Sequence, residues 1–302
     1  MYGAMTRVSV VMPAYNRADA IGRAIDSVLR QSHPDVELIV VDDGSSDGTR
    51  ERVQRYGDRV VLLGDGANHG SNWARNRGLE RATGEIVSFI DSDDEFLPDK
   101  LATVVALFAA RPDVDVVVDS FELRYPPASG KRPAARRNPP IEDPEEFRRA
   151  VFARRLYKAT PAISARRRAL IDVGMFDESL KRRQDMDLVL RLCERHRCLS
   201  TDRVLWVKHW TESSISSKRH TFLAAAIEVC ERHPDYLAEP SYRHGLERDM
   251  GRHFWRLIAA REFGTCLEDL RRFRAWGALG ASPWRLVLRY LAQRAQRLIT
   301  AG

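Results

Sequence analysis

Two stretches decide the fold: VELIVVDDGSSDG at residues 36–48 and EIVSFIDSDD at residues 85–94. Each is a short apolar, β-branched run that breaks off abruptly into acidic and small polar residues. A continuous apolar run of this length reads as a strand buried on both faces. The chain opens on the same plan, with RVSVVM at 7–12 followed by Pro13-Ala14-Tyr15-Asn16. Amphipathic stretches lie between the runs. Residues 18–31 place Ile21, Ile25, Val28 and Leu29 on one helical face, residues 48–56 and 71–82 read as further helices, and 59–63 as a further strand. Strands alternating with helices imply a parallel sheet covered on both faces, hence an α/β architecture.

In open sheets of this kind ligands sit beyond the carboxyl ends of the strands. Three clusters should therefore converge on one rim: Pro13-Ala14-Tyr15-Asn16, Asp42-Asp43-Gly44-Ser45 and Asp91-Ser92-Asp93-Asp94. Two carboxylates one residue apart, as in Asp91-Ser92-Asp93, repel unless a cation or solvent lies between them. Mg²⁺ or Mn²⁺ suits such a site, since both favour oxygen ligands and borrow others from substrate phosphates. Asp also forms turns, and only the strand-end context favours the cation. A calcium loop starting at Asp43 fails because Gln54 stands where a bidentate Glu is required. The sequence has no GxxxxGK[ST], and no GxGxxG follows the first strand. A nucleotide can still be held by acidic groups: a carboxylate accepts a uracil N–H, Tyr15 packs on the base, and a metal on Asp93 neutralises a diphosphate.

The chain has 302 residues, 44% hydrophobic and 30% charged, which excludes a largely disordered chain. No apolar run reaches the roughly 18 residues of a membrane span, and the first residues lack an apolar signal core, so a cytoplasmic location is expected. Four cysteines (Cys193, Cys198, Cys230, Cys266) are too few for a disulfide scaffold, and CERHRC at 193–198 is better read as packing than as zinc binding. The net charge of +7 lies entirely after residue 242, where twelve Arg face five acids. No aromatic-basic interleaving marks a nucleic-acid module, so no nucleic-acid partner is expected.

Beyond the acidic clusters, residues 98–111 read as a helix and 114–123 as a strand. Residues 125–140, rich in Pro and Arg, read as a loop, 143–153 and 185–194 as helices, and 204–207 as a short strand. From 219 the pattern is helical, at 221–232, 242–262, 265–276 and 283–299. The expected organisation is a catalytic domain over 1–218 and a helical extension over 219–302.

The ordered set of VSVVMPAYNR (8–17), VELIVVDDGSSDGT (36–49), Asn68-His69-Gly70 and ARNRGLERATGEIVSFIDSDD (74–94) resembles the family 2 inverting glycosyltransferases of GT-A fold, over about residues 7–215. The resemblance implies a GT-A-type, mostly parallel sheet flanked by helices, with the C-terminal helical extension beyond it. It implies a transferase using a nucleotide-diphosphate sugar, commonly UDP-linked, with Mn²⁺ or Mg²⁺, and a glycan or lipid-linked acceptor. Carried over by position, Pro13, Ala14 and Tyr15 would line the base pocket and Asp43 would bind the uracil edge. Asp42 would brace that loop, Arg75 would lie near the donor phosphates or sugar, Asp91 and Ser92 would hold the donor, and Asp93 the metal.

Gly174-Met175-Phe176-Asp177-Glu178 and Arg182-Arg183-Gln184-Asp185-Met186-Asp187 resemble the family segment in which an acidic pair opens a helix. Asp185 is the expected general base for the acceptor hydroxyl, with helix capping as its competing role. Gln184 replaces the usual Glu, and Asp187 is the alternative base. Val207-Lys208-His209-Trp210, with Ser213, Ser214, Ser216 and Ser217, resembles the distal segment whose His completes metal or diphosphate binding, which makes His209 a candidate metal ligand. Lys218 and Arg219 would close over the diphosphate or remain solvated. Trp284, Val287, Leu288, Leu291, Ala295 and Leu298 recur at helical spacing beside Arg285, Arg289, Arg294 and Arg297. This helix either lies on an anionic membrane, as a peripheral contact at the inner face, or packs on the catalytic domain. The rival to the enzyme reading is a non-catalytic sugar-nucleotide-binding subunit.

Overall fold

In the computed structural model, which describes residues 6–211, 219–280 and 282–300, the apolar runs form the centre of one nine-stranded sheet. Strand β1 (Val8–Ala14) is buried along its whole length and lies between β2 (Val36–Asp42) and β4 (Ile86–Phe89), parallel to both. The short β3 (Val61–Leu63) pairs parallel with β2. Val10, Val11, Ile39, Val40, Val87 and Phe89 have no exposed surface, the outcome expected of unbroken apolar strands covered on both faces. The crossovers run through α1 (Ile21–Leu29), α2 (Thr49–Gln54) and α3 (Ser71–Arg81), so the polar loops after β1, β2 and β4 emerge on one edge of the sheet.

Past β4 the sheet becomes mixed. After β5 (Glu95–Phe96) and α4 (Lys100–Ala110) comes β6 (Val116–Arg124), and the order across the sheet is β3-β2-β1-β4-β8-β6-β9-β5. Strand β8 (Ile163–Arg166) is antiparallel to β4 and β6, while β9 (Cys198–His209) is parallel to β6 and antiparallel to β5. The parallel character expected of the sheet therefore belongs to its first half. Two sequence expectations need correction here. Residues 125–140 are not wholly loop, because β7 (Ala134–Arg136) adds to β6. The strand read at 204–207 extends over twelve residues, its polar middle at 201–203 coinciding with register shifts against β6. Strands β5 and β8 and helix α6 (Arg167–Asp172) were too short to show periodicity. Helix α7 (Gln184–Arg195) closes this half, with Leu188, Val189, Leu190 and Leu192 buried.

The chain divides into two compact units. The first holds the described residues to 148 and 155–211, and the second holds 149–154 and the described residues after 218. The end of α5 (Pro144–Phe152) joins the second unit, where Phe152 stacks on Tyr242 with ring centroids 4.3 Å apart. That unit is helical, with α8 (Phe222–Arg232), α9 (Asp235–Ala238), α10 (Pro240–Ala259), α11 (Phe263–Trp276) and α12 (Pro283–Thr300). Helices α10 and α12 touch at Gly251, where a Cβ would lie 2.3 Å from the Leu286 carbonyl oxygen. On α12, Leu286 and Val287 are buried and Trp284 and Leu288 exposed, so the apolar stripe read from sequence is split between an inner and an outer face.

Candidate active site

The loops after β1 and β2 are stitched to each other and to the start of α3. The Asp43 N–H donates to the Ala14 carbonyl (2.8 Å), and the buried Asp43 carboxylate accepts the His69 N–H (2.8 Å) on Oδ1 and the Gly70 N–H (2.9 Å) on Oδ2. Each oxygen keeps an accepting lone pair. The approach needs a glycine: Gly44 has φ +78, and a Cβ there would lie 2.7 Å from the Ala67 carbonyl carbon. Asn16, at φ +50, accepts the Ser46 N–H (2.8 Å) on its side-chain oxygen and donates its own N–H to Ser45 Oγ (3.0 Å). Pro13 and Ala14 are buried at the end of β1, whereas Tyr15, immediately beyond, is 47% exposed. Asp42 is buried, 3.6 Å from the Arg50 guanidinium.

The acids after β4 form a graded cluster. Arg75 is not the solvated cation that a polar helix would suggest: it is buried, donates to Asp91 Oδ1 at 2.8 Å and sits over the Phe176 ring. Its Nε is buried without a hydrogen-bond partner. Ser92 is buried, and Asp93 lies 3.8 Å from the Arg17 Nε. Burial, and then repulsion from Asp91, holds the Asp93 carboxyl above the usual carboxylate range. Asp94 is wholly buried and pushed well above that range, again chiefly by burial. Its Oδ1 accepts the His209 N–H (3.1 Å), and its Oδ2 has no hydrogen-bond partner.

Helix α3 connects this cluster to the segment before α7. The Asn72 amide donates to the carbonyls of Asp177 (2.8 Å) and Leu180 (2.7 Å). The Asn76 amide donates to the Phe176 carbonyl and to Glu178 (both 2.9 Å) and accepts the Phe176 N–H (2.9 Å). Held in this way, the segment leads to Arg183, at φ +63, and into the first turn of α7. Asp185 lies there, partly buried, with Oδ1 accepting the Met186 N–H at 2.8 Å. Asp187 is unsuited to be the base. It is buried, and its Oδ2 is gripped by Arg191 through Nε (2.9 Å) and Nη2 (2.6 Å), while Arg191 also donates to the Val173 and Met175 carbonyls.

His209 lies at the end of β9. Its Nε2 lies 3.3 Å from Glu95, and the neighbouring Lys208 carries the charge that meets the acids, with Nζ 3.9 Å from Asp94 Oδ2. Burial pulls the Lys208 ammonium down, but Asp94, Asp91, Asp93 and Asp185 together outweigh it and hold its pKa above the ordinary value. Lys208 thus feels the donor-side acids and Asp185 at once. Sequence reading missed this role because it ended the strand at Val207. Ser213, Ser214, Ser216, Ser217 and Lys218 lie outside the described residues, as does the side chain of Arg219.

Among the described residues no group of three or more His, Cys, Asp or Glu side chains is arranged to hold a metal. The donor set at Asp91 and Asp93 is nevertheless all oxygen and partly open, each carboxylate facing one guanidinium (Arg75 and Arg17), with an unbonded carboxylate oxygen behind it on Asp94. This fits a hard divalent cation whose coordination shell is completed by phosphate oxygens and water. At CERHRC, His196 bonds to Asp115 and Asp172, and burial pushes the Cys193 thiol up to about 12.

Residues 9–174, more than half of the chain, match the model of glycosyl transferase family 2, and the chain belongs to that family, with a GT-A-type fold. It is 41% identical over 117 residues to the Escherichia coli UDP-Glc:alpha-D-GlcNAc-diphosphoundecaprenol beta-1,3-glucosyltransferase WfgD, covering 38% of this chain and 46% of that one. For WfgD and two further curated relatives, the aligned part spans less than half of the relative's own length. Among solved structures, S. aureus TarS 1-349 in complex with UDP-GlcNAc superposes with a TM-score of 0.66 at 21% identity, covering 90% of this chain and 81% of that one. The mannosyltransferase PcManGT of Pyrobaculum calidifontis, in complex with GDP-Man and Mn²⁺, gives 0.59 at 19% identity, covering 95% and 87%.

Proposed function

We propose that this chain is an inverting glycosyltransferase that moves a sugar from a nucleotide-diphosphate donor, UDP-linked, to the hydroxyl of a glycan or lipid-linked acceptor. One observation carries the reading: helix α3 binds the strand-end acids through Arg75, which donates to Asp91, and holds the segment leading to α7 through Asn72 and Asn76, so that one helix serves the donor-binding and the base-bearing groups. WfgD, named for a UDP-glucose donor and a diphosphoundecaprenol-linked acceptor, supports the choice of substrate classes.

The exposed Tyr15 ring covers one face of the base, and the free lone pairs of Asp43 accept its N–H. Asp91, oriented by Arg75, and Ser92 hold the donor beyond the base. Asp93, with Asp91 beside it, holds the divalent cation, Mn²⁺ or Mg²⁺, which when bound would neutralise charge growing on the departing diphosphate. Asp185 takes the proton from the acceptor hydroxyl, and the oxygen attacks the anomeric carbon on the face opposite the nucleotide, so configuration inverts. Gln184 leaves Asp185 without a like-charged neighbour on that side.

The test is UDP release with Mn²⁺ for the parent and for Asp185→Asn. Loss of a general base lowers turnover by about 10²–10⁴-fold, with UDP affinity unchanged. Equal turnover removes Asp185 from the mechanism, and UDP binding without turnover in the parent favours the non-catalytic binding subunit.

A peripheral contact of the second unit with an anionic membrane surface, at the cytoplasmic face, belongs to the same reading. Its support is Trp284 and Leu288, 56% and 66% exposed, beside the exposed Arg285 and Arg289 on α12. No helix among the described residues is long and apolar enough to cross a membrane. In flotation with anionic vesicles the full chain should rise with the lipid and Trp284→Ser/Leu288→Ser should stay behind. Equal partitioning of the two contradicts the contact.

A further inference from the structure

The pairing of Glu95 with Val207 across β5 and β9 sets Lys208 beside Asp94. Lys208 Nζ is 3.9 Å from Asp94 Oδ2, too far for a hydrogen bond, and that buried oxygen has no hydrogen-bond partner. Asp91, by contrast, is held by a direct 2.8 Å bond from Arg75. The cluster is therefore met by guanidinium groups at Asp91 and Asp93, from Arg75 and Arg17, and at Asp94 by an ammonium on a flexible stem whose side chain remains 29% exposed. A unit positive charge a few Å from a divalent ion in a partly buried site weakens its binding substantially, by tenfold or more. A diphosphate arriving beside it would reverse the effect, since the ammonium then has an anionic partner better placed than Asp94.

We propose that Lys208 is a resident cation that couples metal and donor binding: without nucleotide it occupies the acid cluster and keeps affinity for a free divalent cation low. When the donor arrives, the ammonium turns to the diphosphate, and cation and donor are retained as a pair. The coupling is reciprocal, as any linkage between two ligands must be. This rests on the reading of Asp91 and Asp93 as the cation-holding groups.

The experiment titrates Mn²⁺ into the full chain without nucleotide, reading free Mn²⁺ by electron paramagnetic resonance, and titrates UDP calorimetrically at fixed Mn²⁺. Lys208→Met and Lys208→Gln should bind Mn²⁺ at least tenfold more tightly than the parent without nucleotide, yet bind UDP at least fivefold more weakly. Lys208→Arg, which keeps the charge, should stay near the parent in the first titration. A lysine that only supported the fold would not move the two affinities in opposite directions, and having two neutral variants guards against one failing to fold. Mn²⁺ affinity that is unchanged or weaker in the neutral variants overturns the coupling while leaving the metal reading intact. A parent chain that takes up no Mn²⁺ even with UDP overturns both.

Discussion

The parallel half of the sheet and the mixed half contribute to the site in different ways. From β1 to β4 every strand ends in a polar loop, and these loops bond to one another through Asn16, Asp43 and the start of α3. The mixed half contributes one helix turn, bearing Asp185, and one strand end, bearing Lys208, and α3 positions the segment that leads to the helix. The first half is thus built to be rigid before any ligand arrives. The second is joined to it by the pairing of β8 with β4 and by side-chain bonds from α3 to residues 176–180.

The sharpest way to break this comparison is Asp93→Asn. If the parallel half holds the cation and donor, kcat/KM should fall by about 10²–10³-fold, the scale seen when one charge-stabilising group is removed, and the dependence on Mn²⁺ should flatten. UDP-release rates across a Mn²⁺ titration would show this, and a variant with the parent's Mn²⁺ dependence would mean that the cation sits elsewhere. Asn76→Ala probes the attachment between the halves. It removes three hydrogen bonds to residues 176–178, so stability should drop by about 1–3 kcal/mol. The acceptor KM should rise while the affinity for UDP holds. A matching loss of UDP affinity, measured by calorimetry, would show that the halves are not separable.

This contrast also explains which residues could be read from the sequence. Asp43, Asp91 and Asp93 were legible because each follows directly on an apolar strand, and the strand fixes where the carboxylate emerges. Arg75 was legible only as a cation on α3, since its burial against Asp91 and Phe176 depends on how the helix packs. Asp187, the alternative base in the sequence, is gripped by Arg191, one helical turn later, a pairing that only the folded helix makes plain. Lys208 was given no role in the sequence reading because β9 runs two residues further than its apolar core. Glu95, on the two-residue β5, takes the histidine, and the lysine is left facing the acids. Short strands paired with distant partners leave almost no local signal.

The central claim is that Asp43 and Asp93 act on one nucleotide diphosphate. A crystal structure of the chain with UDP and Mn²⁺ tests it most directly. The account predicts uracil between Tyr15 and Asp43, with Mn²⁺ bound to Asp93 and the diphosphate. Density for the nucleotide away from either carboxylate would contradict it.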